Sequence, residues 1–169
     1  MTSSITDPRP RISVAEAQRV ELQAVTTARG LALMVADTLR AMYQDAAYLV
    51  FSWNGDVPAL VALRDTEGRN VCDLTRRRIP ALLEDGTLRV AWGEFDPQDT
   101  EHLEHLIAMM DSLGGEFDDL PEEQRTPGDA EWTQCLSLSP NATFDGSRAP
   151  GPRRLRPYGS HRADIASAT

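Results

Sequence analysis

The chain contains no lysine, because all 17 of its basic residues are arginine. That removes Schiff-base chemistry and any P-loop with its phosphate-binding lysine. The codon bias of a GC-rich genome produces such a composition without any mechanistic cause. Cysteine is nearly as scarce, with only Cys72 and Cys135, each inside an apolar, strand-like run. A disulfide framework needs a denser and regularly spaced set, so both are read as buried thiols. No apolar run approaches the roughly 18 residues of a spanning helix, and the stretch before Ile12 lacks the apolar centre of a secretory leader. The expectation is a cytoplasmic protein with no membrane segment. No G-x-S-x-G elbow, G-x-G-x-x-G loop or C-x-x-C pair occurs. Local motifs for nucleophilic, dinucleotide and dithiol chemistry are therefore missing, although a triad assembled from distant residues leaves no such trace.

What is present is close to ordinary globular usage: 169 residues, 41% hydrophobic and 25% charged. That length suits one domain with a real core. Residues 1 to 12 are polar, carry Pro8 and Pro10, and are expected to be a disordered lead. Ser13-Val14-Ala15-Glu16 has the form of a capping box at a helix start. Leu31, Met34, Val35, Thr38, Leu39 and Met42 then follow the spacing of one buried helical face. Val14, Ala17, Ala24, Val25 and Ala28 continue it toward the N-terminus with smaller residues, and Gly30 leaves one helix or two as alternatives.

After Asp45 the period changes to two, with Leu49, Phe51 and Trp53 on one side and Tyr48 and Val50 on the other. That predicts a strand. Asn54-Gly55 suits a tight hairpin turn into a second strand over residues 56 to 64. Pro58 places that end of the second strand at an edge. A turn at 65–68 leads to a third strand over 69–74. A short helical turn is expected around Ile79 to Leu83, and a fourth strand at Leu88, Val90 and Trp92. Asp96-Pro97 predicts the start of a second helix with Leu103, Leu106, Ile107 and Met110 buried, closed by Gly114-Gly115. Glu116 to Gly128 reads as an acidic loop, and Trp132, Leu136 and Leu138 suggest a last strand. Residues 139–169 are rich in Pro, Gly, Ser and Ala and are expected to be a disordered tail. The resulting fold is α+β over residues 13–138: an antiparallel sheet of four to five strands, covered on one face by an N-terminal helix and a second helix.

Ligand-type residues cluster only at Glu101-His102-Leu103-Glu104-His105. Zincins carry H-E-x-x-H and the inverted form H-x-x-E-H, whereas this segment has H-x-E-H. Glu101 and His105 also project away from Leu103 and Met110. The four residues Glu101, His102, Glu104 and His105 are thus weak metal candidates, and no cofactor is expected. Asp65-Thr66-Glu67-Gly68 resembles a calcium loop, but its glycine falls fourth rather than sixth, and a turn accounts for these residues.

Charge is the least ordinary property. From Glu84 to Glu131 there are 15 acidic residues against two basic ones, Arg89 and Arg125, a net charge of −13 over 48 positions. Such a field repels nucleic-acid phosphates and suits a basic protein partner or a solvated surface. Contact candidates are Glu101, Glu104, Glu116, Asp118, Asp119, Glu122 and Glu123. Arg76, Arg77 and Arg78, and the tail segment Arg153-Arg154-Leu155-Arg156, form two smaller basic patches. A helix followed by Asp45-Ala46-Ala47-Tyr48-Leu49-Val50-Phe51, a hairpin and another strand resembles the opening of GAF-type ligand-sensing domains over about 30 residues, with no ligand motif. The leading functional expectation is a non-enzymatic regulatory or accessory protein acting through protein contacts. The alternatives are a GAF- or PAS-like small-molecule sensor and a metal-assisted hydrolase.

Overall fold

The structure, a computed structural model, describes residues 12–140. The expectations for the lead and for the tail beyond Pro140, including Arg153-Arg154-Leu155-Arg156, lie outside the described residues. Helix α1, Val14–Met42, begins where the Ser13 side chain accepts the backbone N–H of Glu16. It runs unbroken through Gly30, where an added Cβ would meet nothing within 4 Å. Its buried residues are Ala28, Ala32, Val35, Ala36, Thr38 and Leu39, all in the second half. Every residue from Val14 to Gln23 is exposed, so the continued stripe of Val14 and Ala17 packs against nothing among the described residues.

Three antiparallel strands follow: β1 (Tyr48–Asn54), β2 (Val57–Arg64) and β3 (Asn70–Asp73). Asn54-Gly55 makes the hairpin, with Gly55 at a φ of 65° that a β-branched residue would resist. The chain returns as β4 (Asp118–Asp119) and β5 (Thr133–Ser137), giving a five-stranded sheet in the order β3-β2-β1-β5-β4. Strand β2 lies inside the sheet, but β3 is short and pairs only with Ala62 to Arg64. The Pro58 end is therefore an open edge, as a residue without an N–H requires.

Between β3 and the second half of the chain the sequence expectations fail. Residues 75–85 form no helical turn, and the predicted fourth strand is helix α2, Gly86–Ala91. Leu88 and Trp92 are four residues apart, a spacing that serves a helix face as well as the alternation of a strand does. Val90, the residue between them, decides the matter, since it is 80% exposed while Trp92 is 4% exposed. Asp85 caps this helix by accepting the N–H groups of Thr87 and Leu88, and Gly93 at φ 58° ends it. The buried Trp92 indole donates to Thr38 Oγ1 at 2.8 Å, which pins α2 against α1.

Helix α3, Thr100–Ser112, starts three residues later than Asp96-Pro97 implied, because Asp99 and not Asp96 accepts the N-terminal amide, that of Glu101. Asp96 instead caps the preceding turn through Gln98 N–H. Leu103, Leu106, Ile107 and Met110 are buried as their spacing predicts. Together, α1 and α3 cover one face of the sheet, where Leu49, Phe51, Leu60, Leu63 and Leu136 join the main core.

Candidate functional site

Among the described residues, no α-helix covers the opposite face of the sheet. Its apolar patch is small, with Val50, Leu120 and Cys135 buried and Tyr48 and Val61 packed beside them. The cover is the acidic segment after α3, which contains β4 and a 3₁₀ turn, Glu122–Gln124. Leu120 buries itself there and β4 pairs with β5, and a buried cation clasps the rest of the run. Arg64, at the end of β2, is only 2% exposed. Its guanidinium donates to both carboxylate oxygens of Asp129 at 2.7 and 2.8 Å, to the backbone carbonyl of Gln124 at 2.7 Å and to Asn70 Oδ1 at 3.2 Å. The planar fork of arginine suits a two-oxygen acceptor in a way a lysine would not.

The clasp has a second part. Gln124 Nε2 donates to the Thr66 carbonyl, and a Cβ at Gly68, which has a φ of 80°, would lie 3.1 Å from Gln124 Oε1. Glycine is thus required at position 68 both for its backbone angle and for the approach of the loop. The Asp65 carboxylate is spent inside the same turn, accepting from Glu67 N–H, Arg69 N–H and Arg69 Nε. Its hydrogen bond from the Arg69 side chain holds its carboxyl below the ordinary value. Arg64 does the same to Asp129, whose side chain is 5% exposed.

Held in this way, the segment turns its remaining carboxylates outward. Glu116, Asp118, Asp119, Glu122 and Glu123 are all exposed. Asp118 and Asp119 form the whole of β4, so a charged two-residue strand closes that side of the sheet, a common means of discouraging edge pairing. Burial, reinforced by Asp118 and Asp119, pushes the Cys135 thiol up to about 12, leaving it protonated and unreactive at neutral pH. Cys72 is a free, half-buried thiol on the helix-covered face with two strands between it and Cys135, which rules out a bond between them. Burial also raises the Tyr43 hydroxyl to about 12, with the neighbouring Cys72 thiol as the next cause.

The other predicted site residues lie on α3 and do not converge. Glu101 pairs with Arg77 at 3.4 Å on the surface. Glu104 is half-buried and accepts the N–H of Leu60 at 3.2 Å, satisfying a strand amide that β3 is too short to reach. It therefore joins α3 to the open edge of β2 and differs in kind from the acidic residues of the β4 segment. His102 accepts the Asp96 N–H on Nδ1 at 2.8 Å and stacks on Phe95, while His105 meets the edge of the same ring. Among the described residues no group of three or more His, Cys, Asp or Glu side chains is placed to hold a metal ion. The arginine run also divides. Arg78 lies 3.3 Å from Asp96, Arg77 faces Glu101, and the carbonyls of Arg76 and Arg77 accept the Thr100 hydroxyl.

A shallow groove between α1 and the β4–β5 side of the sheet is lined by Ala32, Leu33, Ala36, Phe117 and Leu136, with Glu116 and Asp118 at its rim. It holds about 30 Å³, room for two or three waters. Sequence reasoning missed Arg64 and Asp129, which are 65 residues apart in the chain. The one available signal was a lone charge at the end of the apolar strand run 59–63. No helix among the described residues is long and apolar enough to cross a membrane. No family model, curated protein or solved structure matches this chain.

Proposed function

We propose that this chain is a regulatory or accessory protein that works by binding a basic protein partner through its acidic sheet edge. The observation that carries the reading is the clasp. Arg64 and Asp129 neutralise each other in the interior, and the segment they fix presents Glu116, Asp118, Asp119, Glu122 and Glu123 to solvent. None of these five forms an ion pair among the described residues, in contrast to Glu101, which Arg77 already occupies. Unpaired carboxylates on a fixed backbone lose little freedom on docking, and their summed field steers a basic surface toward them. The two α3 residues once grouped with them, Glu101 and Glu104, have internal partners and play a smaller part in this reading.

The test is affinity capture with the whole chain at low and then high salt, followed by kinetics on the partner recovered. Raising ionic strength shortens the Debye length from about 10 Å at 0.1 M to about 3 Å at 1 M, so association slows. Changing Asp118, Asp119, Glu122 and Glu123 to their amides slows association at low salt and leaves the unfolding midpoint where it was. A partner whose binding responds neither to salt nor to the four amides would overturn the reading.

A further inference from the structure

The shallow groove opens where the sheet is incompletely closed. Among the described residues β4 pairs with β5 only at Cys135 and Gln134, so the two segments part toward Leu136 and Ser137 and leave the groove between them, beside α1. Its floor is apolar, made by Ala32, Ala36 and Leu136, and Leu33 at its wall is 48% exposed. Two or three waters fill about 60 to 90 Å³ of liquid, which is the space of one aliphatic side chain. Glu116 and Asp118 stand at the rim. The groove therefore suits an apolar residue with cationic neighbours.

The chain itself carries such a residue downstream. Ser139 lines the groove, and the sequence runs on from Pro140 with five arginines, Arg148, Arg153, Arg154, Arg156 and Arg162, against two aspartates, Asp145 and Asp164. That is a net charge of +3, opposite in sign to the −13 from Glu84 to Glu131. Charge also chooses among the large apolar side chains. Phe144 adjoins Asp145 and Ile165 adjoins Asp164, whereas Leu155 stands between Arg154 and Arg156.

We propose that Arg153-Arg154-Leu155-Arg156 docks in this groove, Leu155 on the apolar floor and its arginines at Glu116 and Asp118, and so holds the acidic edge closed to a basic partner. The closing role rests on the partner reading above; the docking does not. Leu155 lies 16 residues after Ser139. A chain of that length spans up to about 50 Å, so reach is no obstacle. Gly146, Pro150, Gly151 and Pro152 lie between them and suit a reversal of direction. Such a tether keeps the segment at an effective concentration of roughly millimolar, so a contact of few charges, too weak to form between separate molecules, is populated within one chain.

The experiment uses the full chain in a Cys72→Ser background, since Cys135 is buried and stays protonated. Mild oxidation of Leu33→Cys, Leu155→Cys should form an intramolecular disulfide, read by peptide mapping, roughly tenfold faster than Leu22→Cys, Leu155→Cys, whose α1 site lies about 16 Å further along the helix. Raising salt to about 1 M should remove most of that difference. The closing role is read with a nona-arginine peptide as the basic probe. The disulfide-closed chain should bind it roughly tenfold more weakly than the same chain after reduction, and Leu155→Ser, which leaves the net charge alone, should bind it about threefold more tightly than the wild type. Equal rates of disulfide formation from positions 33 and 22 would overturn the docking and leave the partner reading standing. A preferential disulfide without effect on peptide binding would overturn the closing role. A peptide that binds neither form would defeat the partner reading and the closing role with it, while the disulfide rates still decide the docking.

Discussion

The two faces of the sheet are closed by opposite means. On the helix side, Leu49, Phe51, Leu60 and Leu63 meet α1 and α3, and burial of apolar area does the work. On the other side three buried residues make a small apolar patch, and a buried ion pair, with the Gln124 to Thr66 hydrogen bond beside it, helps tie the acidic segment down. The difference is one of tolerance. An apolar face is non-directional and loses stability by degrees as atoms are removed, whereas a buried ion pair is worth having only when it is complete, since removing one partner strands the other's charge.

The largest effect should come from breaking the pair. Asp129→Ala leaves Arg64 buried without its carboxylate and should cost about 3 to 5 kcal/mol, read from urea denaturation. The pH dependence has a definite sign. Arg64 holds the folded Asp129 carboxyl below its ordinary value. The contribution of this residue is therefore complete above the ordinary aspartate range, near pH 4, and is lost as pH falls through the lower folded value. Asp129→Asn should flatten that acid limb, and an unchanged limb would show that the clasp does not govern acid stability. On the helix face, Leu39→Ala should cost roughly 2 to 5 kcal/mol, because Leu39 is fully buried at the centre of the α1 stripe. A loss larger than that of Asp129→Ala would mean that the two faces differ less in tolerance. The smallest effect belongs to Val90→Asp. A side chain 80% exposed on α2 should change stability by less than about 0.5 kcal/mol, whereas on the half-buried strand suggested by its alternation the same change would be severe.

Legibility in the sequence followed the range of the interactions. The α1 stripe from Leu31 to Met42, the Asn54-Gly55 hairpin and the buried face of α3 were each readable within a dozen residues, because periodicity and turn chemistry are local. Leu88, Val90 and Trp92 misled because four-residue spacing serves both kinds of element. Asp85 before them and Gly93 after them carried the deciding information as caps. Asp96 misled for a similar reason: two aspartates three residues apart can each cap a turn, and only the packing of Thr100 against the carbonyls of Arg76 and Arg77 settles which one begins α3. In the candidate site, the acidic residues were visible as composition, but composition does not separate Glu104, which satisfies the Leu60 amide, from Asp118 and Glu122, which face solvent.

By itself, then, the amino-acid order determined the α+β class, the antiparallel pairing of neighbouring strands and the faces that α1 and α3 bury, since these follow from backbone sterics and from patterns repeating every two or three to four residues. Tertiary structure alone decided that β5 lies beside β1, that the acidic segment crosses the helix-free face, and that Arg64 finds Asp129. Those contacts join residues more than 60 positions apart, and their energies depend on burial and on the full set of hydrogen-bond partners, quantities that exist only once the chain has closed.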